Sequence, residues 1–373
     1  MDVFHQMIGE RIALARKELD MTQEELSQRL GFKDRQILSH IESGKRRVTS
    51  EELIRFMQLL EKPLDFFTDP ALIVGENVMS WRAEEESPEM RAFEDWALSL
   101  VGVQRELIKQ LKEPVSPLRM FLPLEKNSTF EDAIAAAENL LTAWEILSAP
   151  APQLQPKIES ELKVMVLPVD APDHISGGAV NLPEGATIFL NRKHSRGRRH
   201  FTLAHELFHI LTWNTMPPEK FDFEGRNGKS SRVERLADNF ASALLMPFNL
   251  LVEQLEQWQK GTSSAGKLDP ARVPPKNWFK EVAEFFQVSV VALKYRLLNA
   301  KLLLAEALES LNLNIHEDIE PSPAFGYTLL DRLNRGIDRG FISARKASAL
   351  LQSSIDDLAE LLRKNQLEPS FNL

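Results

Sequence analysis

His205-Glu206-Leu207-Phe208-His209 constrains this chain more than any other five residues in it. An α-helix turns once in 3.6 residues, so side chains at i and i+4 project in nearly the same direction, and two imidazoles there can supply two corners of one tetrahedral metal site. The surrounding segment, Phe201 to Leu211, is largely apolar apart from these groups. It reads as a buried helix that turns polar atoms to one side. Glu206 falls about 100° around the helix from His205, where its carboxylate can reach a metal-activated water instead of the metal. This is the HExxH zinc signature.

A catalytic zinc usually takes three protein ligands and keeps a fourth position open. Downstream, apolar residues at 233, 236, 237, 240, 241, 244 and 245 trace one face of an amphipathic helix that Pro247 stops. Glu234 and Asp238 are again i and i+4, flanking that stripe. The spacing offers Glu234 as the third ligand, with Asp238 behind it accepting a hydrogen bond from the far ring nitrogen of a ligand histidine. Asp222 and Glu224, in the intervening loop, are the alternative third ligands. The Glu-x-x-x-Asp pairing after HExxH resembles that of thermolysin-like zincins.

Arg199-His200-Phe201-Thr202-Leu203-Ala204-His205-Glu206-Leu207-Phe208-His209, followed by Glu234-x-x-Ala237-Asp238-x-Phe240-Ala241-x-x-Leu244-Leu245-Met246-Pro247, closely resembles the ImmA/IrrE family of metallo-endopeptidases. The resemblance runs from about residue 155 to 305 and takes in Gly177-Gly178-Ala179 and the strand-like Ala186 to Asn191. Asp238 stands where family members often carry Asn. The resemblance implies a compact zincin-like fold, one catalytic Zn²⁺ and the cleavage of transcriptional repressors. The residues agree with that chemistry: Glu206 takes a proton as general base and later delivers it to the leaving amine. For the transition-state donor Tyr295 is a candidate, against its plainer reading as a partly buried aromatic.

A second signal lies at the other end. Residues 7 to 67 read as five short helices. Thr22-Gln23-Glu24-Glu25-Leu26-Ser27-Gln28-Arg29-Leu30-Gly31 opens with an N-cap and a capping-box glutamate and closes on glycine. A second helix capped by Asp34 follows, which is the helix-turn-helix plan. The stretch resembles the XRE, or Cro-like, repressor family, including Ile41-Glu42-Ser43-Gly44-Lys45-Arg46, with a turn one residue longer than usual at Phe32-Lys33. Residues 1 to 66 carry 11 Lys and Arg against 12 Asp and Glu, but within 29 to 47 six basic residues face two acidic ones. That local excess suits phosphate contact by Lys45, Arg46 and Arg47. Arg35, Gln36 and Ser39, early on the recognition helix, are the expected base-edge readers, and Gln23 should touch the DNA backbone.

Composition limits what remains. With no cysteine among 373 residues, thiolate metal sites and disulfides are excluded, so His and carboxylate must hold any metal. The net charge of −9 argues against polyanion binding outside the basic patches. No apolar run reaches about 18 residues and the N-terminus does not read as a secretory signal, so no membrane partner and a cytoplasmic location are expected. The basic run from Arg192 to Arg199 reads as a solvated loop facing an acidic substrate, with nucleic-acid contact as the alternative. The ImmA/IrrE resemblance implies that the segment with helix-turn-helix cadence at 282–297 is structural, packing beside the peptidase core, and the similar cadence at 340–362, without a basic cluster, reads as a protein-interaction or dimerisation element.

The expected fold class is mainly α with a small β-sheet (α+β). Residues 1–67 form a five-helix lambda-repressor-like DNA-binding domain, 68–125 a helical spacer, 126–305 the zincin-like peptidase domain and 306–373 a helical C-terminal region. The expected function is a regulator, probing a double-stranded operator as a homodimer, whose zinc endopeptidase cleaves a repressor-type protein. The alternative is a transcription factor or toxin-antitoxin component whose zincin domain senses or binds a partner without turnover.

Overall fold

Short polar side chains set most of the helix starts. Thr22, Asp34, Thr49, Thr129, Ser195, Ser231, Ser289, Ser343 and Ser354 each accept a hydrogen bond from a first-turn backbone N–H. Each satisfies a donor that the helix cannot pair itself, worth about 1 kcal/mol. This computed structural model describes residues 3–73, 79–83, 87–114, 118, 120–182, 184–223, 231–262, 268–308 and 319–371.

Along the chain come α1 (Val3–Glu18), α2 (Gln23–Leu30), α3 (Arg35–Glu42), α4 (Ser50–Leu59) and α5 (Leu64–Thr68). Strand β1 (Met79–Ala83) precedes α6 (Pro88–Gln110), α7 (Phe130–Ala143) and α8 (Ala151–Lys157), the last running into a π turn at Ile158–Leu162. Then follow β2 (Met165–Val169), β3 (Ile175–Leu182), β4 (Gly185–Asn191), α9 (Arg196–Thr212), β5 (Phe221–Phe223) and α10 (Arg232–Leu245). The remaining helices are α11 (Phe248–Thr262), α12 (Lys276–Phe286), α13 (Val290–Asn299), α14 (Ala305–Leu308), α15 (Gly326–Asp338), α16 (Ala344–Leu350) and α17 (Ile355–Lys364). The class is mainly α with one small sheet, as expected. Among the described residues no helix is long and apolar enough to cross a membrane.

Two compact units emerge. One gathers Met1–Asn77, Glu94–Pro114 and Asp331–Leu373, and the other Val78–Phe93 and Val115–Leu330. The stretch 68–125, read from sequence as a helical spacer, is therefore divided, and it supplies a strand as well as α6. The C-terminal region likewise divides at residue 331.

In the first unit α1 to α5 enclose Ile8, Ile12, Leu26, Leu38, Ile41, Phe56 and Phe67. Gly9 permits the close approach of α1 to α3, because a Cβ there would stand 2.1 Å from the carbonyl oxygen of Ile41. The buried Arg11 guanidinium donates to the carbonyls of Phe66, Asp69 and Leu72, tying α1 to the end of α5. These carbonyls lie at the end of α5 and in the turn that follows it, so one buried side chain holds that stretch of backbone against α1.

The second unit is built on a five-stranded sheet of order β2-β4-β3-β1-β5. β2 runs parallel to β4, β3 is antiparallel to both β4 and β1, and β5 is parallel to β1. The register aligns Arg82 with Gly177 and Leu190, and Trp81 with Gly178 and Phe189. Since successive side chains alternate faces, Arg82 and Trp81 point to opposite sides. Trp81 is fully buried against Phe93 and Phe189, 5.3 and 5.6 Å between ring centroids.

The paired glycines make both approaches possible. A Cβ on Gly178 would stand 2.3 Å from the Trp81 ring, and one on Gly177 would stand 2.6 Å from Thr202 Cγ2 on α9 and 2.5 Å from the Phe189 carbonyl oxygen. Gly177→Val is expected to lower unfolding free energy by about 1–3 kcal/mol through overpacking, measured by chemical denaturation; unchanged stability would refute the close approach of α9 to β3. α9 and α10 complete the core through Leu203, Leu207, Phe208, Leu236, Phe240 and Leu244, with α7 packed against α10.

Candidate metal centre and nucleic-acid interface

The apolar faces of α9 and α10 bury against each other, and their polar positions are carried inside with them. His205, Glu206 and His209 are each 1% exposed and Glu234 is 6% exposed. His205 Nε2 lies 3.1 Å from His209 Nε2 and 2.9 Å from Glu234 Oε2, which is 3.3 Å from His209 Nε2. The three side chains thus form a buried group able to hold a metal ion. Two nitrogens bound to one tetrahedral zinc at their usual bond lengths stand about 3.3 Å apart. The observed separations are close to that edge, and the donor set of two imidazoles and one carboxylate is one that zinc accepts. Two buried atoms beside them, Glu206 Oε2 and His209 Nδ1, have no hydrogen-bond partner among the described residues.

Asp238 stands one turn beyond Glu234 on α10 and accepts a hydrogen bond from His205 Nδ1–H at 3.0 Å. That bond fixes the ring so that Nε2 faces Glu234. Burial and the nearby Arg82 work against protonated His205, but its hydrogen bonds to Asp238 and Glu234 prevail, and its pKa is pushed up to about 10. Burial would raise both carboxylates as well, yet the two histidines hold Glu234, and His205 holds Asp238, below the ordinary carboxylate range. Glu206 goes the other way: burial pushes its carboxyl up, against the pull of His209 and His205.

One residue of this cluster escaped the sequence reading. Arg82, on β1, lies 3.6 Å from Asp238 and holds its guanidinium 5.5 Å from the centre of the Phe201 ring. It also lines a cavity of about 700 Å³ with Phe201, Thr202 and Asp238. Tyr295, 60% exposed, lines the same cavity and makes no contact with the three candidate ligands that the hydrogen bonds record. Of the alternative third ligands, Asp222 falls in β5 and Glu224 lies outside the described residues. The basic run, expected as a solvated loop, continues into the first turn of α9 and is partly spent: Arg196 pairs with Glu284, Arg192 with Asp170, Arg198 donates to Ser176 Oγ, and Arg199 donates to backbone carbonyls.

In the other unit, Gly31 ends α2 in the left-handed region at φ 72°, and Asp34 caps α3. Phe32 fills the longer turn by packing edge-on against Phe56, 6.4 Å between centroids. With Leu38 and Ile41 buried, Arg35 and Gln36 are exposed at the start of α3 and Ser39 is half-buried beside them. Lys45 and Arg47 are exposed after the helix. Two expected DNA contacts are engaged internally. Gln23 donates to Glu42 at 2.7 Å, and Arg46 makes a two-pronged pair with Glu52 at 2.8 and 3.1 Å. Glu42 also binds Arg16, locking α1, α2 and α3 together.

Residues 12–67 match the helix-turn-helix family, and residues 159–298 match the IrrE N-terminal-like domain of peptidase family M78. The chain joins a helix-turn-helix DNA-binding domain to an M78 peptidase-type domain. No curated protein matches it. Two solved structures are similar at 12% identity over 97% of this chain: the apo form of the competence regulator ComR from Streptococcus vestibularis and the PrgX/iCF10 complex. Their matches cover 97% and 98% of those chains, with TM-scores of 0.17 and 0.16. β1 and α7 lie outside the residues that match the M78 family, so Arg82 comes to the M78-type domain from beyond the family segment.

Proposed function

We propose that the chain is a DNA-bound regulator whose M78-type domain is a zinc endopeptidase acting on a repressor-type protein. The observation that carries this reading is the convergence of His205, His209 and Glu234 on one point, with the unpartnered Glu206 carboxylate oxygen on the same turn of α9. His205, His209 and Glu234 would hold the metal. Bound zinc supplies a Lewis acid for the scissile carbonyl and a water acidified to near neutrality. Glu206 Oε2 accepts the proton of the attacking water and returns it to the leaving amine. Its raised pKa brings it nearer the range where both transfers are easy. Asp238 keeps the Nδ1 proton of His205, so that Nε2 offers a lone pair.

The helix-turn-helix, acting as a homodimer on a symmetric operator, concentrates the peptidase near proteins bound to the same DNA. Arg35, Gln36 and Ser39 read base edges, and Lys45 and Arg47 bind phosphate. Gln23 and Arg46 reach the backbone only by sharing or leaving their present partners. Arg35→Ala is expected to weaken operator binding by about 1–3 kcal/mol and relax the sequence preference at one base pair, read by fluorescence anisotropy on operator and scrambled duplexes. An equal loss on both duplexes would make Arg35 a phosphate contact instead.

Metal analysis of the purified chain, with mass spectrometry of a co-incubated repressor, tests the whole reading. One zinc per chain and a cleaved repressor support it; no bound metal and an intact repressor sink it. The near-complete burial of the four cluster side chains favours a second reading, a sensor or partner-binding domain without turnover. In that case the regulatory phenotype survives Glu206→Gln and is lost with Arg35→Ala.

A further inference from the structure

His205 can keep Nε2 aimed at a metal only while its other ring nitrogen, Nδ1, donates to an acceptor that stays in place. The imidazole is 1% exposed, but the side chain of that acceptor, Asp238, is 41% exposed and lines the cavity of about 700 Å³. A short carboxylate at a solvent boundary has competing partners and more than one rotamer open to it. Its aim therefore depends on a second contact.

Arg82 makes that contact. Its Nη2 lies 3.6 Å from Asp238 Oδ1, the same oxygen that His205 Nδ1 reaches at 3.0 Å. The guanidinium is the better fixed of the two charged groups, its side chain 13% exposed and its carbon 5.5 Å from the centre of the Phe201 ring. The backbone beneath it is held on both sides. β1 lies inside the sheet, with Arg82 in register with Gly177 on β3 and with Asp222 on β5. Gly177, having no side chain, lets Thr202 of α9 come close to β3, and Phe201 of the same helix turn meets the Arg82 guanidinium.

A guanidinium in this position has two effects on a metal, and they differ in sign. As a bare positive charge it repels a divalent cation, so its removal would tighten binding. As a clamp on Asp238 it preserves the orientation of His205, so its removal loosens binding. Asp238 contacts both Arg82 and the ring, and its negative charge offsets the first effect. The clamp is what remains.

We propose that Arg82 is a positioning residue of the metal centre, holding the Asp238 carboxylate on His205 Nδ1 so that Nε2 stays aimed at the ion. The proposal rests on the reading of His205, His209 and Glu234 as metal ligands. It adds to them a member from β1, outside the residues that match the M78 family.

The test uses the full chain with zinc alone as the probe, in competition with a chelator of known affinity. Arg82→Gln is expected to weaken zinc binding roughly three- to tenfold, less than loss of Asp238 itself because Arg82 acts at one remove. In an Asp238→Asn background the same substitution should change affinity by less than about twofold, since the charge that Arg82 holds is gone. A role confined to the packing of β1 would cost the same in both backgrounds. The visible bands of the cobalt-loaded chain, which report ligand geometry, should likewise shift on Arg82→Gln only where Asp238 is present. Where Arg82→Gln does not fold, Arg82→Lys carries the same cycle: it keeps the charge without the planar fork and should lose part of the affinity, again only with Asp238 in place. Tighter zinc in the Arg82 variants, unchanged zinc, or an equal loss in both backgrounds would overturn the proposal. A wild-type chain that binds no zinc removes the metal reading and this proposal together, whereas a zinc-binding wild type indifferent to Arg82 removes this proposal alone.

Discussion

Glu206→Gln is expected to leave the fold and one bound metal per chain intact and to slow peptide cleavage by about 100- to 10,000-fold. The substitution changes one atom of a side chain that is 1% exposed and packed within α9, so little else can respond. Glu206 Oε2 has no hydrogen-bond partner among the described residues, so no internal bond is broken. What disappears is the basic carboxylate oxygen. Single-turnover cleavage followed by mass spectrometry, alongside metal content, separates the two effects. Cleavage at the wild-type rate would refute Glu206 as the base, and loss of metal with turnover would make it a ligand.

The second large effect is graded along α10. Glu234→Ala should bring the metal below one per chain after dialysis, since two imidazoles alone remain. Asp238→Ala should retain the metal but weaken its binding by about 10- to 100-fold, because His205 loses the acceptor that fixes its ring. Competition against a chelator of known affinity, monitored in the same buffer for both variants, gives the order. If Asp238→Ala proved the more damaging, the assignments of the two carboxylates would have to be exchanged.

How much of this was legible before the structure depends on the range of the interactions. α9 and α10 declare themselves because helical periodicity is local: His205, His209, Glu234 and Asp238 need only the spacing i, i+4 to share a face. The helix starts at Thr22 and Asp34 are equally local. β1 is not. Met79-Ser80-Trp81-Arg82-Ala83 is five residues with no β-branched side chain, and its partner is β3, some hundred residues later. Nothing nearby signals a strand, so Arg82 was invisible as a neighbour of Asp238. The DNA contacts failed to be fully legible for a related reason. A count of basic residues does not tell which are already paired, and Arg46 with Glu52, like Gln23 with Glu42, depends on how two helices are turned.

The pairing of β1 with β3 also sets a schedule for synthesis. Trp81 leaves the ribosome 97 residues ahead of Gly178, the glycine that makes room for it. At about 5–20 residues per second the strand waits roughly 5–20 s with a large apolar ring and an open backbone edge. During that interval the chain has finished its helix-turn-helix but cannot close the sheet of the M78-type domain. Arrested nascent chains ending before residue 175 are expected to be cut by protease near β1. Chains extended well past residue 191 should resist, and equal cutting of both would show that β1 finds shelter elsewhere.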